Sequence, residues 1–311
     1  MTAMVPRHSC PFCEGTSAQK LYEIAYDAPE MRAYLESFYA TGKGVDHSVL
    51  DGCSYAVMEC PDCSGLYQHQ VPGDALMLKL YDEWIDPEAP LKRKASNPLS
   101  YYAGASAEIM QLLSMFGRPP GQVKVLDFGS GWNEWALAAQ GLGCDVTVCE
   151  LSETRIAHAK AHGLPVIDYA DIPGAGFDLI NTEQVLEHVP DPLVIMRHLL
   201  TGLADGGMLK VSVPDCDNFK ERLKHADWTA PKGSKMSLNP LAPLEHLNLF
   251  RPETLEKMAS LSGAKTRKVP VTTQLRNSTH WHGASRIARN LVMPFYRNLA
   301  GRKNYALLTR A

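Results

Sequence analysis

At 311 residues, with 45% hydrophobic and 21% charged side chains and a formal charge of −3, the chain has the make-up of one large or two smaller globular domains. No apolar run approaches the roughly 18 residues of a membrane span, and the start MTAMVPRHSC has no signal-like apolar stretch, so a cytoplasmic protein without a transmembrane segment is expected. From Lys257 to Ala311 there are 11 Lys and Arg and no Asp or Glu, which leaves 20 basic and 34 acidic side chains, or −14, in the rest; that body repels polyanions, so nucleic acid is an unlikely partner.

Residues 1 to 75 carry two Cys-x-x-Cys pairs, CPFC and CPDC. Between them the sequence predicts an extended KLYEIAYD and a helix over PEMRAYLESFYATGKG, closed by glycine. After VPGD, DALMLKLYDEW reads as helix, the proline-broken DPEAPLKRKASNP as a linker or flap, and AGASAEIMQLLSMFG as a helix ending at Arg118-Pro119-Pro120-Gly121. Strands at 123–128 and 145–149 then alternate with helices at 133–140 and 152–162. A short VIDYAD, the apolar strand FDLINT, a helix in VPDPLVIMRHLLTGLADGG and the strand MLKVSVPD follow. Such alternation predicts an α/β, Rossmann-like, mostly parallel sheet with right-handed crossovers, whose ligand sits at the carboxyl ends of the strands. The tail adds a helix PETLEKMASLSG, a strand TRKVPVTT, a helix ASRIARNLVMPFYRNLAG and a closing strand NYALLTR.

CPFC and CPDC each present two thiolates from a tight turn, the arrangement a tetrahedral zinc ion needs. Because 46 residues separate Cys13 from Cys60, the fold must bring two knuckles together. A redox dithiol and an iron–sulfur cluster are the rivals, but two matched knuckles favour structural zinc on Cys10, Cys13, Cys60 and Cys63. His8, His69 and Cys53 are reserve ligands. Cys144, Cys149 and Cys216 read as reduced, packed thiols. The expected organisation is a zinc-binding module at 1–75, a helical linker and lid at 76–120, and an α/β domain at 121–311.

VLDFGSG is an apolar strand entering a glycine turn, and Glu150 follows Gly131 by 19 residues at the end of DVTVCE. The glycines let the backbone approach a ligand where a Cβ would clash, and an acid about 20 residues on is where a ribose diol is held. Glu134 stands where a dinucleotide fingerprint has its third glycine. A pyrophosphate needs an uncluttered helix N-terminus, so the turn favours S-adenosylmethionine over NAD. Tyr101 and Tyr102 either close over a cofactor or pack as core aromatics. His188 and His246 are candidate bases, with Glu245 placed to orient an imidazole or substrate. In the segment 284–301, Arg286, Arg289 and Arg297 share one helical face and Ile287, Leu291, Phe295 and Leu299 the other, with a kink at Pro294. It is a surface helix covering the sheet, or else a contact for an anionic substrate or for a membrane surface.

Together VLDFGSG, Glu150, FDLINTEQVLEHVPDP and GGMLKVSVPD resemble the motifs of class I S-adenosylmethionine-dependent methyltransferases, over about residues 120–265. The resemblance implies a seven-stranded sheet whose last strand, NYALLTR, is antiparallel. It also implies that Asp127, Gly129, Ser130 and Gly131 face the methionine moiety, and that Glu150, with Leu151 beside it, takes the ribose. Asp171 and Ile172 would serve the adenine, and Thr182 and Glu183 the pocket floor. The two CxxC pairs, His188 in VLEH and Glu245-His246 in PLEHLNLF further resemble the C-methyltransferases of nucleotide-linked deoxysugars, without their extra C-terminal domain. The implied activity is methyl transfer from S-adenosylmethionine to a small polar metabolite, a nucleotide-linked sugar, at carbon or oxygen with His-assisted proton removal. The alternatives are an RNA methyltransferase with the zinc module as reader, and a non-catalytic cofactor-binding scaffold.

Overall fold

The computed structural model of the chain describes residues 3–86, 96–215, 218–278, 281–300 and 304–311; most of the flap DPEAPLKRKASNP and Cys216 lie outside them. The chain forms two units, one of Met1–Ala95, Leu186–Leu193 and Val213–Met258, the other of Ser96–Val185, Val194–Ser212 and Ala259–Ala311. The boundaries expected from the sequence differ from these, because two later stretches fold with the amino-terminal module.

In the first unit β1 (Met4–Pro6) pairs with β5 (Gln70–Pro72). The strands β2 (Gln19–Ala25), β3 (Ser54–Glu59), β4 (Leu66–Gln68) and β10 (Asn248–Leu249) make an antiparallel sheet in the order β10-β4-β3-β2. Pairing of β10 with β4 draws the 213–258 stretch in, and side chains reinforce it: Tyr55 Oη donates to the Leu241 carbonyl at 2.7 Å and Gln68 Nε2 to that of Ala242 at 2.8 Å. The helix Pro29–Phe38 buries Met31 and Leu35, one helical turn apart, in a core with Tyr26, Tyr55, Trp84 and Leu241. It stops six residues before the predicted Gly44, because Tyr39 leaves the helical region (φ −103°) and packs its ring against Trp84 at 5.7 Å.

The second unit holds β6 (Lys124–Phe128), β7 (Asp145–Cys149), β8 (Phe177–Glu183), β9 (Leu203–Ser212), β11 (Ala264–Thr266) and β12 (Tyr305–Arg310), in the order β11-β12-β9-β8-β6-β7. The first four are mutually parallel, and β12 runs antiparallel to β9, as the resemblance implies. Val125, Val146, Val148, Leu179 and Met208 fill the core with Ile109, Leu112, Trp135 and Ala136 from the helices. The apolar run of β8 is buried on both faces, the pattern of a covered parallel strand.

Three expectations need correction here. Among the described residues the sheet of the second unit has six strands, and the seventh position is a single parallel bridge from Val166 to Val148. Pro165 has no N–H for the ladder, and the chain enters a 3-10 turn at Tyr169–Asp171, so a full strand does not fit. The glycines expected to end a helix lie inside β9, where a Cβ on Gly207 would stand 2.8 Å from the Phe177 carbonyl oxygen. TRKVPVTT is strand only to Thr266; beyond Pro270 it becomes the helix Val271–Arg276.

Candidate functional sites

The two knuckles of the first unit are near copies. In each, the first cysteine's N–H donates to the glycine carbonyl two residues past the second (Cys10 to Gly15, 2.8 Å; Cys60 to Gly65, 3.0 Å), and the residue after the second cysteine is left-handed (Glu14, φ 63°; Ser64, φ 60°). Each glycine is packed by the other knuckle: a Cβ on Gly15 would meet Asp62 Oδ2 at 2.5 Å, and one on Gly65 would meet Phe12 Cδ2 at 2.3 Å. The Sγ atoms of Cys10, Cys13, Cys60 and Cys63 all lie within 4.8 Å of one another, with Cys10–Cys63 at 3.6 Å and Cys13–Cys60 at 3.5 Å. Zinc–sulfur bonds of about 2.3 Å in a tetrahedron set an edge near 3.8 Å, so the tetrad can hold a zinc ion. Cys10, Cys60 and Cys63 are buried and Cys13 half-buried, so four thiolates there would need a cation among them. Cys53 is in the hydrophobic core and not in the tetrad.

In the second unit the glycine turn is built by Glu150. One carboxylate oxygen accepts from Gly131 N at 2.8 Å, the other from Leu151 N at 2.9 Å and Ser152 N at 3.1 Å, so the acid at the end of β7 locks the turn after β6. Gly129 (φ 67°) faces Val185, whose Cγ2 would lie 2.7 Å from an added Cβ; Gly131 (φ 56°) faces open space. Ser130 Oγ donates to Asn133 Oδ1 at 2.7 Å, which fixes the entry to the helix Glu134–Gly141. Leu151 is 89% exposed beside Glu150. Tyr101 and Tyr102 are exposed rather than core, and Tyr101 Oη lies 3.4 Å from Glu134 Oε2. The structure therefore brings Gly129, Ser130, Gly131, Glu150 and Leu151 together where β6 and β7 end, through the bonds from Gly131 and Leu151 to Glu150.

Other expected cofactor residues are used differently. Asp127 is buried, accepts from Asn181 Nδ2 at 2.7 Å, and has its pKa raised to about 7 by burial, against the pull of that bond and of the Lys210 charge. Thr182 is also buried, its hydroxyl donating to the Lys210 carbonyl at 3.1 Å, so it closes the sheet rather than lining a pocket. Glu183 pairs with Lys210 and accepts from Ser212 Oγ at 3.2 Å. Ile172 is wholly buried against Gly202, so its side chain belongs to the core; Asp171 is exposed. Asp168, which sequence reasoning missed, lies close enough to Cys149 for its charge, with that of Glu150, to add to the rise that burial causes in the thiol's pKa, to about 12. Lys210 was missed too, although a lysine inside the apolar run MLKVSV is itself a signal, since buried lysines are almost always paired.

A family model described as a methyltransferase domain matches residues 82–269, more than half of the 311 residues. The chain belongs to this methyltransferase-domain family. Among curated proteins it is similar to ubiquinone biosynthesis O-methyltransferases. That of Idiomarina loihiensis is 31% identical over 153 residues, 44% of this chain and 63% of that protein; that of Chromobacterium violaceum is 32% identical over 155 residues, 45% and 63%. The chain thus spans less than two thirds of the length of these relatives. Among solved structures, the plantazolicin methyltransferase BpumL in complex with a triazolic desmethylPZN analog and SAH is 16% identical with a TM-score of 0.47, over 76% of this chain and 95% of that one.

Within this methyltransferase-domain chain, the candidate catalytic residues are gathered in the first unit. The rings of His188 and His246 meet edge to face at 4.7 Å. His188 Nδ1 lies 3.0 Å from the Glu245 carbonyl and His246 Nδ1 2.5 Å from that of Asn239; a carbonyl only accepts, so each ring carries its proton on Nδ1 and keeps Nε2 as the acceptor. His188 Nε2 is 3.9 Å from Glu187 Oε1. The two segments are stapled by Leu247 N donating to the Glu187 carbonyl (2.7 Å) and by Asn248 Nδ2 donating to those of Leu186 (2.9 Å) and Val189 (2.7 Å). Arg7 in turn donates to Asn248 Oδ1 at 2.9 Å and to the Pro190 carbonyl at 2.6 Å. Asn248 and Arg7 were not foreseen; nothing local to Arg7 announces its role. Leu244, fully buried yet left-handed (φ 69°), holds the strained corner that presents Glu245 and His246. The Glu245 carboxyl, raised by burial against the opposing pull of Lys232 and Tyr39, lies with Tyr34 and Tyr39, whose pKa values burial and its charge push up. Glu245 therefore orients His188 through its backbone.

Burial, then the His188 charge, lowers the His246 pKa to about 3. The native state therefore stays unprotonated at this ring down to about pH 3, while the unfolded chain takes up a proton below about 6.5. More protons are bound by the unfolded chain in that window, so this contribution to stability is present above pH 6.5 and is lost as the pH falls toward 3. Melting temperatures of the protein and of His246→Asn, measured from pH 7.5 to pH 4.5, are expected to converge as the pH falls; parallel curves would refute the assignment.

Proposed function

We propose that the chain binds S-adenosylmethionine at the glycine turn and transfers its methyl group to a small polar acceptor at carbon or oxygen. The observation that carries this reading is the open space at the Cβ position of Gly131, in a turn that Glu150 locks, in a chain of the methyltransferase-domain family. Glu150 takes the ribose hydroxyls, Leu151 supports the adenine, and the exposed Asp171 is the acid at the adenine end. Tyr101 closes over the cofactor. The cofactor, when bound, supplies a methyl group on a sulfonium that leaves as a neutral thioether, so the protein's tasks are alignment, exclusion of water and proton removal.

His188 is the proton acceptor of the pair. His188 is half-buried with its Nε2 3.9 Å from Glu187 Oε1, whereas burial holds His246 neutral. The four cysteines hold structural zinc. The acceptor is a nucleotide-linked sugar; a second reading, O-methyl transfer to an acceptor other than a sugar, is favoured by similarity to ubiquinone biosynthesis O-methyltransferases.

Calorimetry with S-adenosylmethionine, S-adenosylhomocysteine and NAD tests the cofactor: micromolar binding of the first two is expected, and binding of NAD alone overturns the proposal. A screen of sugar nucleotides and phenols with methyl-labelled cofactor then separates the two acceptors. Binding without turnover on any acceptor would leave a cofactor-binding scaffold.

A further inference from the structure

The helix Ala284–Ala300 is turned the wrong way for a surface helix. At about 100° per residue its apolar side chains collect on one side, the side that ordinarily faces a core. Here that side faces solvent: Ile287 is 39% exposed, Leu291 49%, Val292 60%, Phe295 55% and Leu299 86%, with Trp281 just ahead at 42%. What the helix turns toward its own unit is another flank, with Pro294 buried and Met293, Arg297 and Asn298 half-buried. Asn298 fastens that flank, its Nδ2 donating to the Val269 carbonyl at 3.0 Å and its own carbonyl accepting from Lys268 Nζ at 2.7 Å. A contiguous apolar face held outward in this way marks a docking surface.

Charge selects the occupant. The stretch 257–311 has 11 basic and no acidic side chains, and Arg286 and Arg289 are exposed on the same helix, outside its apolar face. A second copy of the chain docking face to face would bring together two such basic stretches with no acid in either to pair. An anionic bilayer satisfies both features, because apolar side chains enter the acyl boundary while arginines reach lipid phosphates. The aromatic rings of Trp281, Phe295 and Tyr296 suit the same interface. No helix of the described residues is long and apolar enough to cross a membrane, so the helix lies on the surface.

We propose that Ala284–Ala300 docks this protein onto anionic phospholipid, with Ile287, Leu291, Val292, Phe295 and Leu299 inserted and Arg286 and Arg289 at the headgroups. The inference stands on the helix and is independent of methyl transfer. The test is flotation with vesicles of phosphatidylcholine alone or mixed with phosphatidylglycerol. The full chain is expected to float with the mixed vesicles, with a Trp281 emission shift to the blue, and to stay behind with phosphatidylcholine. Leu291→Glu with Phe295→Glu should lower partitioning at least tenfold at an unchanged melting temperature, since both positions are exposed; Arg286→Glu with Arg289→Glu should abolish the preference for phosphatidylglycerol. The proposal is overturned if the wild type does not float, if the apolar pair of substitutions floats like wild type, or if those substitutions instead dissolve a dimer of a chain that binds no vesicle.

Discussion

Replacing Cys60 by serine is expected to unfold the amino-terminal unit rather than merely weaken it. Its sulfur is one corner of a tetrad whose members lie within 4.8 Å of one another, and loss of one thiolate leaves a three-ligand site. Structural zinc contributes about 10–16 kcal/mol to the folding of small zinc modules, as much as the roughly 5–15 kcal/mol of net stability of a whole domain. The knuckles also position the chain around them: Thr254 Oγ1 donates to the Cys63 carbonyl at 2.9 Å, and Phe12 packs edge to face on Phe250 at 5.0 Å. Without the metal those contacts lose their frame. The purified protein should contain one zinc per chain by elemental analysis. Cys60→Ser should lose it, with a red shift of emission from Trp84, which is wholly buried in that unit's core. Cys53→Ser, in the core and outside the tetrad, should keep its zinc. A metal-free wild type, or a Cys60→Ser protein that melts like wild type, would end the zinc reading.

What the sequence showed and hid follows the range of the interactions. Strands β6 and β8 were legible because a covered parallel strand writes its burial into consecutive apolar residues, and β7 because its buried Val146 and Val148 alternate with Asp145 and Thr147. The glycine turn and Glu150 were legible because positive φ and close approach demand glycine locally. By contrast, β10 is two residues long and meets β4 from some 180 positions away; nothing near Asn248 announces that pairing, so the reach of the first unit was missed. The same distance hid the roles of Arg7 and of the Glu245 carbonyl. His188 and His246 were named from their motifs, but the tautomers depend on carbonyls that only the folded chain supplies. Ile172 and Thr182 were misread for a simpler reason: a motif gives the residue, and the fold decides whether it points at the ligand or into the sheet.

Gly131→Ala and Gly129→Ala should fail in different ways, and the difference tests whether the turn is a ligand cradle. Both residues are left-handed, at φ 56° and 67°, so either substitution costs about 1–2 kcal/mol of backbone strain. At Gly131 nothing among the described residues beyond its chain neighbours lies within 4 Å of the new methyl group, so strain is the whole cost to folding. The methyl group would instead occupy the space assigned to S-adenosylmethionine, and affinity should fall at least about tenfold, or about 1.4 kcal/mol. At Gly129 the new methyl group meets Val185 Cγ2 at 2.7 Å and Cγ1 at 3.1 Å, and a β-branched side chain has little rotamer freedom with which to retreat. Overpacking of that kind adds about 1–3 kcal/mol, so Gly129→Ala should be the less stable of the two by thermal melting. Val185→Ala should restore the overpacking part in the double variant, a coupling that a double-mutant cycle measures directly, and it should restore nothing in Gly131→Ala. If Gly131→Ala binds S-adenosylmethionine as tightly as wild type, the space before it is solvent and the cofactor lies elsewhere.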